Sequence, residues 1–173
     1  MLLNSSIKIS LHSIMFLLIL RRILLQTRSQ PSLHSTMFLL IQDDSHGYDQ
    51  DYRWGEKGDY DCSSAVIQAW QNAGVPVKSG GATYTGDMKN VFLKNGFVDV
   101  TSKVNVATGS GLLRGDVLLN EAHHVAMYCG NGKEVEASIN EKGTAHGGKP
   151  GDQTGKEFLI RSYRNYPWNC VLR

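Results

Sequence analysis

Three short segments that alternate apolar and polar residues constrain this chain most: Asp116–Asn120 (DVLLN), His123–Cys129 (HHVAMYC) and Lys133–Ile139 (KEVEASI). A period of two sends successive side chains to opposite faces of a strand. The last two segments are joined by Gly130-Asn131-Gly132, and Asn-Gly suits the positive backbone angles of a tight hairpin. All three are expected as neighbouring strands of an antiparallel meander. Upstream the period changes to that of a helix. In DCSSAVIQAWQNAGVPV, Asp61 to Ser64 are good N-cap types, and Val66, Ile67, Ala69, Trp70 and Ala73 form one apolar face. Gly74 and Pro76 stop the run. TGDMKNVFLKNGF reads as a second helix, capped by Thr85 or Asp87, with Met88, Val91, Phe92 and Leu93 inward and Gly96 at its end. VDVTSKVNV reads as a short strand, and KEFLIRSY as the last strand before an aromatic tail with Tyr166 and Trp168. Helices followed by antiparallel strands give an α+β layout, not a parallel βαβ one.

The chain has 173 residues, the size of one domain, and 41% hydrophobic residues are enough for a core. A net charge of +2 does not suggest a nucleic-acid partner, which asks for a basic stripe. Its weak positive bias suits an anionic polymer. The cysteines, Cys62, Cys129 and Cys170, are odd in number and widely spaced, so neither a disulfide framework nor a structural zinc site is expected. Cys129 sits in a strand alternation and reads as a small buried hydrophobe. Cys170 has no supporting motif.

Near the N-terminus, the apolar run Ile14–Leu20 falls short of the roughly 20 residues that span a bilayer, and Arg21 and Arg22 interrupt it. No stable membrane insertion is expected. Lys8 makes a thin basic region, but no small-x-small cleavage site follows, which counts against a signal peptide. SLHSIMFLLI (Ser10–Ile19) nearly repeats as SLHSTMFLLI (Ser32–Ile41), too few copies for a solenoid. Residues 1–31 therefore read as a dispensable extension. Residues 32–173 read as the domain, with the second copy as its first helix.

Cys62 differs from the other cysteines. It stands at a helix start, where unpaired N–H groups favour a thiolate. His123 and His124 open a later strand, and Glu136 lies on the strand after the hairpin. Each has an ordinary reading alone: a structural cysteine, a surface histidine, a solvated glutamate. Together they supply a nucleophile, a base and a carboxylate to orient that base. The Cys62 backbone N–H and a group near Asp61 are expected to form the oxyanion site. The long polar, aromatic segment Asp43–Tyr60 reads as an ordered functional loop.

YRWG (Tyr52–Gly55) with YDCSSAVIQAW (Tyr60–Trp70), then RGDVLLN (Arg114–Asn120) and HVAMYCGNGKEVEAS (His124–Ser138), resembles the NlpC-type cell-wall cysteine peptidases. The likeness is greatest to the peptidoglycan amidohydrolases of bacteriophage endolysins and covers roughly residues 32–173. It implies a papain-like fold, with helices packed on a central antiparallel sheet. It also implies a phage- or prophage-encoded enzyme that acts at the bacterial cell wall, with the peptidoglycan of Gram-positive bacteria as its partner and no cofactor or metal. By motif, Cys62 is the nucleophile and His124 the base, in preference to His123. Glu136 takes the third role, with Asn140 and then His146 as alternatives. Tyr52 falls where the family has a tyrosine near the thiol, and Trp54, Asp61 and Ser63 fall at the oxyanion and substrate site. Asp152 and Gln153, in a glycine-rich loop, are expected to bond the stem peptide. The scissile amide is either the N-acetylmuramoyl-L-alanine bond or the D,L bond within the stem. A non-catalytic wall-binding module and a cysteine acyltransferase are the competing classes.

Overall fold

An aspartate starts the first helix. Asp61 accepts a hydrogen bond from the Ser64 N–H (2.7 Å) while the Ser64 hydroxyl accepts one from the Asp61 N–H (2.9 Å). This reciprocal capping box satisfies two otherwise unpaired donors and places Cys62 as the first residue of α1 (Cys62–Asn72). The structure is a computed structural model; it describes residues 46–139, 142–147, 149–151 and 156–173. The terminal repeat, the helix expected at 32–41, Asn140, Asp152 and Gln153 lie outside the described residues.

The apolar face of α1 is buried at Ala65, Val66, Ile67 and Ala69, and it packs on β2 (His124–Gly130) and β3 (Lys133–Ala137). The second helix, α2 (Thr85–Lys94), packs against β5 (Cys170–Leu172). Met88, Val91 and Phe92 turn inward as expected, whereas Leu93 is exposed. The capping differs from the expectation. Tyr84 is the N-cap, and Asp87 reaches back from the first turn to accept from the Thr83 and Tyr84 N–H groups (2.9 and 3.2 Å). Phe97 packs against both helices, edge-on to Trp70 and tilted against Phe92.

The strands form one antiparallel sheet in the order β4-β3-β2-β1-β5, with β1 at Val117–Asn120 and β4 at Phe158–Ser162. The α+β expectation holds, with two differences. VDVTSKVNV is a 3-10 turn at Thr101–Lys103 rather than a strand, although Val98 and Val100 still bond to Arg173 and Val171. The aromatic tail continues into β5, three residues too short to show a period. The two faces of the sheet differ. Val125, Met127, Val135 and Ala137 face the main apolar core under the helices. Leu118, Ala126 and Val171 face a smaller cluster around Trp168. Among the described residues no helix is long and apolar enough to cross a membrane.

Candidate active site

The hairpin between β2 and β3 decides what His124 can touch. Asn131 and Gly132 both have positive φ, 53° and 66°, so the turn is the tight two-residue kind expected. With that turn alone, Gly130 opposite Lys133 would set Met127 opposite Glu136, putting Glu136 on the core face, away from His124. The observed register is instead Met127 opposite Val135 and Tyr128 opposite Glu134, with the shift between Tyr128 and Gly130. Cys129 is the extra residue of a β-bulge. A one-residue slip reverses the face of every side chain beyond it. Glu134 and Glu136 thereby share a face with His124.

Glu136 Oε2 lies 2.6 Å from His124 Nε2. Its side chain is fully buried and also accepts from Arg161 (3.0 Å) and Arg164 (2.5 Å). Burial alone would raise its pKa. The bond from His124, the positive charges of His124 and Arg164, and the bond from Arg161 outweigh that and hold the carboxyl below its usual range. The His124 ring packs at its edge on Tyr166 and stacks on Trp168 (centroids 5.5 and 6.0 Å). With Nε2 occupied and the ring confined, Nδ1 is the nitrogen left to exchange a proton.

Cys62 stands beside the same strand. The backbone of Val125, the residue after His124, and the Tyr48 hydroxyl lie close enough to its sulfur to favour the thiolate. The helix start does not make it a ready thiolate. Burial, then the Asp61 charge, push the thiol up to about 11, and the nearby donors of Val125, Ser63 and Tyr48 only partly offset them. As a nucleophile it would need a base. Burial and the neighbouring Cys62 and Asp61 charges push the Tyr48 phenol far up as well, so it remains a hydroxyl donor.

A cavity of about 310 Å³ opens on Cys62, with walls from Arg53, Asp61, Ser63, Tyr84 and His146. Another, of about 230 Å³, opens on His124 between Tyr48, Ser138, Ile139, Arg164 and Tyr166. Gln50 and His123 line both, so the two adjoin. Asp61 is clamped by Arg53 (2.6 Å) and accepts from the Ser63 hydroxyl (3.0 Å). Arg53 also reaches Ser63 and the Thr83 carbonyl (both 2.6 Å).

The structure thus brings Cys62, Asp61 and Ser63 into one wall, and His124, backed by the buried Glu136, into the adjoining one. It does not bring Tyr52 there: that ring is exposed under the Lys57 ammonium, at 3.3 Å. Tyr48, four residues earlier, holds the place beside the thiol because Glu157 anchors its backbone N–H (3.0 Å) deep in the fold. Trp54 also stands apart from both cavities, between Arg53 and Lys78. His146 bonds the exposed Asp51 (3.0 Å) rather than His124. Tyr48, Arg161 and Arg164 were missed by sequence reasoning. Only the recurrence of arginine at 161 and 164, beside a strand that needed charge compensation, signalled the last two.

A family model described as an endolysin-like domain matches residues 36–135 and 134–173. No curated protein sequence matches the chain significantly. Among solved structures, the chain is similar to NlpC1 and NlpC2 from Trichomonas vaginalis, each at 17% identity over 84% of this chain with a TM-score of 0.47. The matched regions cover 45% and 48% of those chains, so this chain spans less than half of their length.

Proposed function

The chain belongs to the endolysin-like domain family, and we propose that it is a peptidoglycan hydrolase that cleaves a stem-peptide amide through Cys62, His124 and Glu136. The observation that carries this reading is the pairing of a buried, charge-compensated carboxylate with His124 (2.6 Å), on a strand whose next residue, Val125, lies by the helix-start thiol. His124 takes the Cys62 proton as sulfur attacks the carbonyl carbon. The C=O electrons move to oxygen, giving a tetrahedral oxyanion. The Tyr48 hydroxyl and the Cys62 backbone N–H are the donors proposed for it. The imidazolium then protonates the leaving amine as the C–N bond breaks. Water, deprotonated by His124, hydrolyses the thioester and restores the thiol. Glu136 holds Nε2 throughout.

The open, polar cleft suits a polymer from the bacterial wall. The muramoyl–L-alanine bond and the D,L stem bond both remain candidates. The test is turbidity loss of purified Gram-positive walls with EDTA present, using wild type and Cys62→Ala. Clearing by wild type alone is expected, and mass spectra of the new termini then name the bond. Equal clearing by both proteins removes Cys62 as nucleophile; activity lost in EDTA and restored by zinc overturns the metal-free mechanism. Specific binding to walls without clearing would mark the protein as a wall-binding module.

A further inference from the structure

Behind His124 lies more charge than a single orienting residue needs. Glu134 and Glu136 are both fully buried on one face of β3. Arg164 spans them, with Nε on Glu134 (3.0 Å) and Nη2 on Glu136 (2.5 Å). Arg161 bonds the other oxygen of Glu136 (3.0 Å). The cluster therefore holds two carboxylates and two guanidiniums. Guanidinium is suited to such a fork, because its planar donors reach both acceptors at fixed angles. Arg164 is further held over the Tyr166 ring (4.8 Å), which itself packs on His124.

We infer that Arg164, assisted by Arg161, is a positioning residue that cancels the negative charge behind His124, so that Glu136 orients the imidazole as a neutral acceptor would. The inference rests on the proposed roles of Cys62 and His124. An uncompensated carboxylate pair would hold the proton on His124 too firmly for it to serve as a base. The alternative of a neutral third residue needs no compensation; a glutamate does, and the bulge that turns Glu136 toward His124 turns Glu134 there too. The groups that face this cluster are Tyr128 on β2, Glu134 and Glu136 on β3, Arg161 on β4, Tyr163, Arg164 and Tyr166 after it, and Tyr48 and His123 on the cleft side. Among these, only the two arginines carry fixed positive charge next to Glu136.

The test measures the pH midpoint of His124 ring protonation by NMR of the histidine ring signals. A Cys62→Ala background keeps the thiol from coupling to it, and the resonance that His124→Gln removes gives the assignment. Arg164→Gln is expected to raise the midpoint by about one pH unit, and adding Glu134→Gln is expected to return it at least half-way. Arg161→Gln, which removes a guanidinium whose own side chain is 41% exposed, is expected to give a smaller rise. With Cys62 intact, the His124 limb of the kcat/KM profile on cell walls moves in the same direction. An unmoved midpoint in both single variants, or a double variant that stays with Arg164→Gln, overturns the inference. If Arg164→Gln fails to fold, the presence or absence of a rise in Arg161→Gln decides. The midpoint needs no turnover, so a shifted midpoint in a protein that clears no wall sinks the proposed hydrolysis and not the charge balance.

Discussion

Asp61 lies in one wall of the cleft and Glu136 behind the other; both are buried carboxylates held by arginine, yet they hold different things. Asp61 grips backbone and hydroxyl: the Ser64 N–H, the Ser63 hydroxyl and the Arg53 guanidinium. It fixes where α1 begins and so where the thiol stands. Glu136 grips a ring, and through Arg161 and Arg164 it is tied to the neighbouring strand and the segment after it. Their electrostatic effects also differ. Asp61 opposes ionisation of Cys62, whereas Glu136 is itself kept ionised by cations. The charge of one bears on the thiol; the charge of the other is answered by the cations around it.

Removal of Glu136 gives the largest expected effect. Glu136→Ala releases the imidazole and leaves Arg161 and Arg164 without their shared partner. Turnover on cell walls is expected to fall on the order of 10⁴-fold, as for other catalytic histidines without their orienting carboxylate. Urea unfolding is expected to show a loss of about 3 kcal/mol, the low end for a broken buried pair because both arginines keep some contact with water. Glu136→Gln keeps an oxygen for Nε2 and should retain more activity. Asp61→Ala should cost about 1 kcal/mol through the lost cap and less turnover than Glu136→Ala. Equal losses of turnover from the two alanine variants would break the contrast.

The two tyrosines sharpen it at the thiol. Tyr48→Phe removes a hydroxyl that lies beside Cys62 and is offered to the oxyanion; kcat is expected to drop roughly 10²-fold, the usual size for one such donor. Tyr52→Phe changes an exposed ring and should leave the rate of wall clearing unchanged. The reverse ranking would return the role to Tyr52 and deny that the observed cleft is the working one.

The wall around Asp61 was the more legible of the two in the sequence. Asp-Cys-Ser-Ser before an apolar helical face is a local signal, and capping is a local interaction, so both the helix start and the thiol position were readable. The contact between His124 and Glu136 was anticipated from their twelve-residue spacing and the family motif, but hairpin arithmetic alone leads to the wrong face. The bulge at Cys129 corrects it, and no residue type announces a bulge there. The arginines follow the same logic. They reach Glu136 by pairing of β3 with β4 and by the chain beyond it, a tertiary event with no periodic trace. The exchange of Tyr52 for Tyr48 has a similar origin: a carboxylate 109 residues away, Glu157, sets which tyrosine lies inside.

The smallest expected effect isolates charge from position at Asp61. Asparagine caps a helix about as well as aspartate, so Asp61→Asn should keep α1 and the thiol in place while it removes the charge that pushes Cys62 up. It also leaves the Arg53 guanidinium uncompensated nearby, and both changes favour thiolate. Alkylation by iodoacetamide reads the thiolate fraction directly. In wild type the rate should climb with pH toward an inflection near the thiol's value of about 11. In Asp61→Asn the inflection moves to lower pH, and by about one unit if the Asp61 charge is a close, poorly screened one. At pH 8 that makes the variant up to roughly tenfold faster to alkylate, because each unit multiplies the small thiolate fraction by about ten. Equal or slower alkylation in a variant with wild-type helix content would mean that Asp61 acts on Cys62 through position alone, and the two carboxylates would then differ only in what they hold.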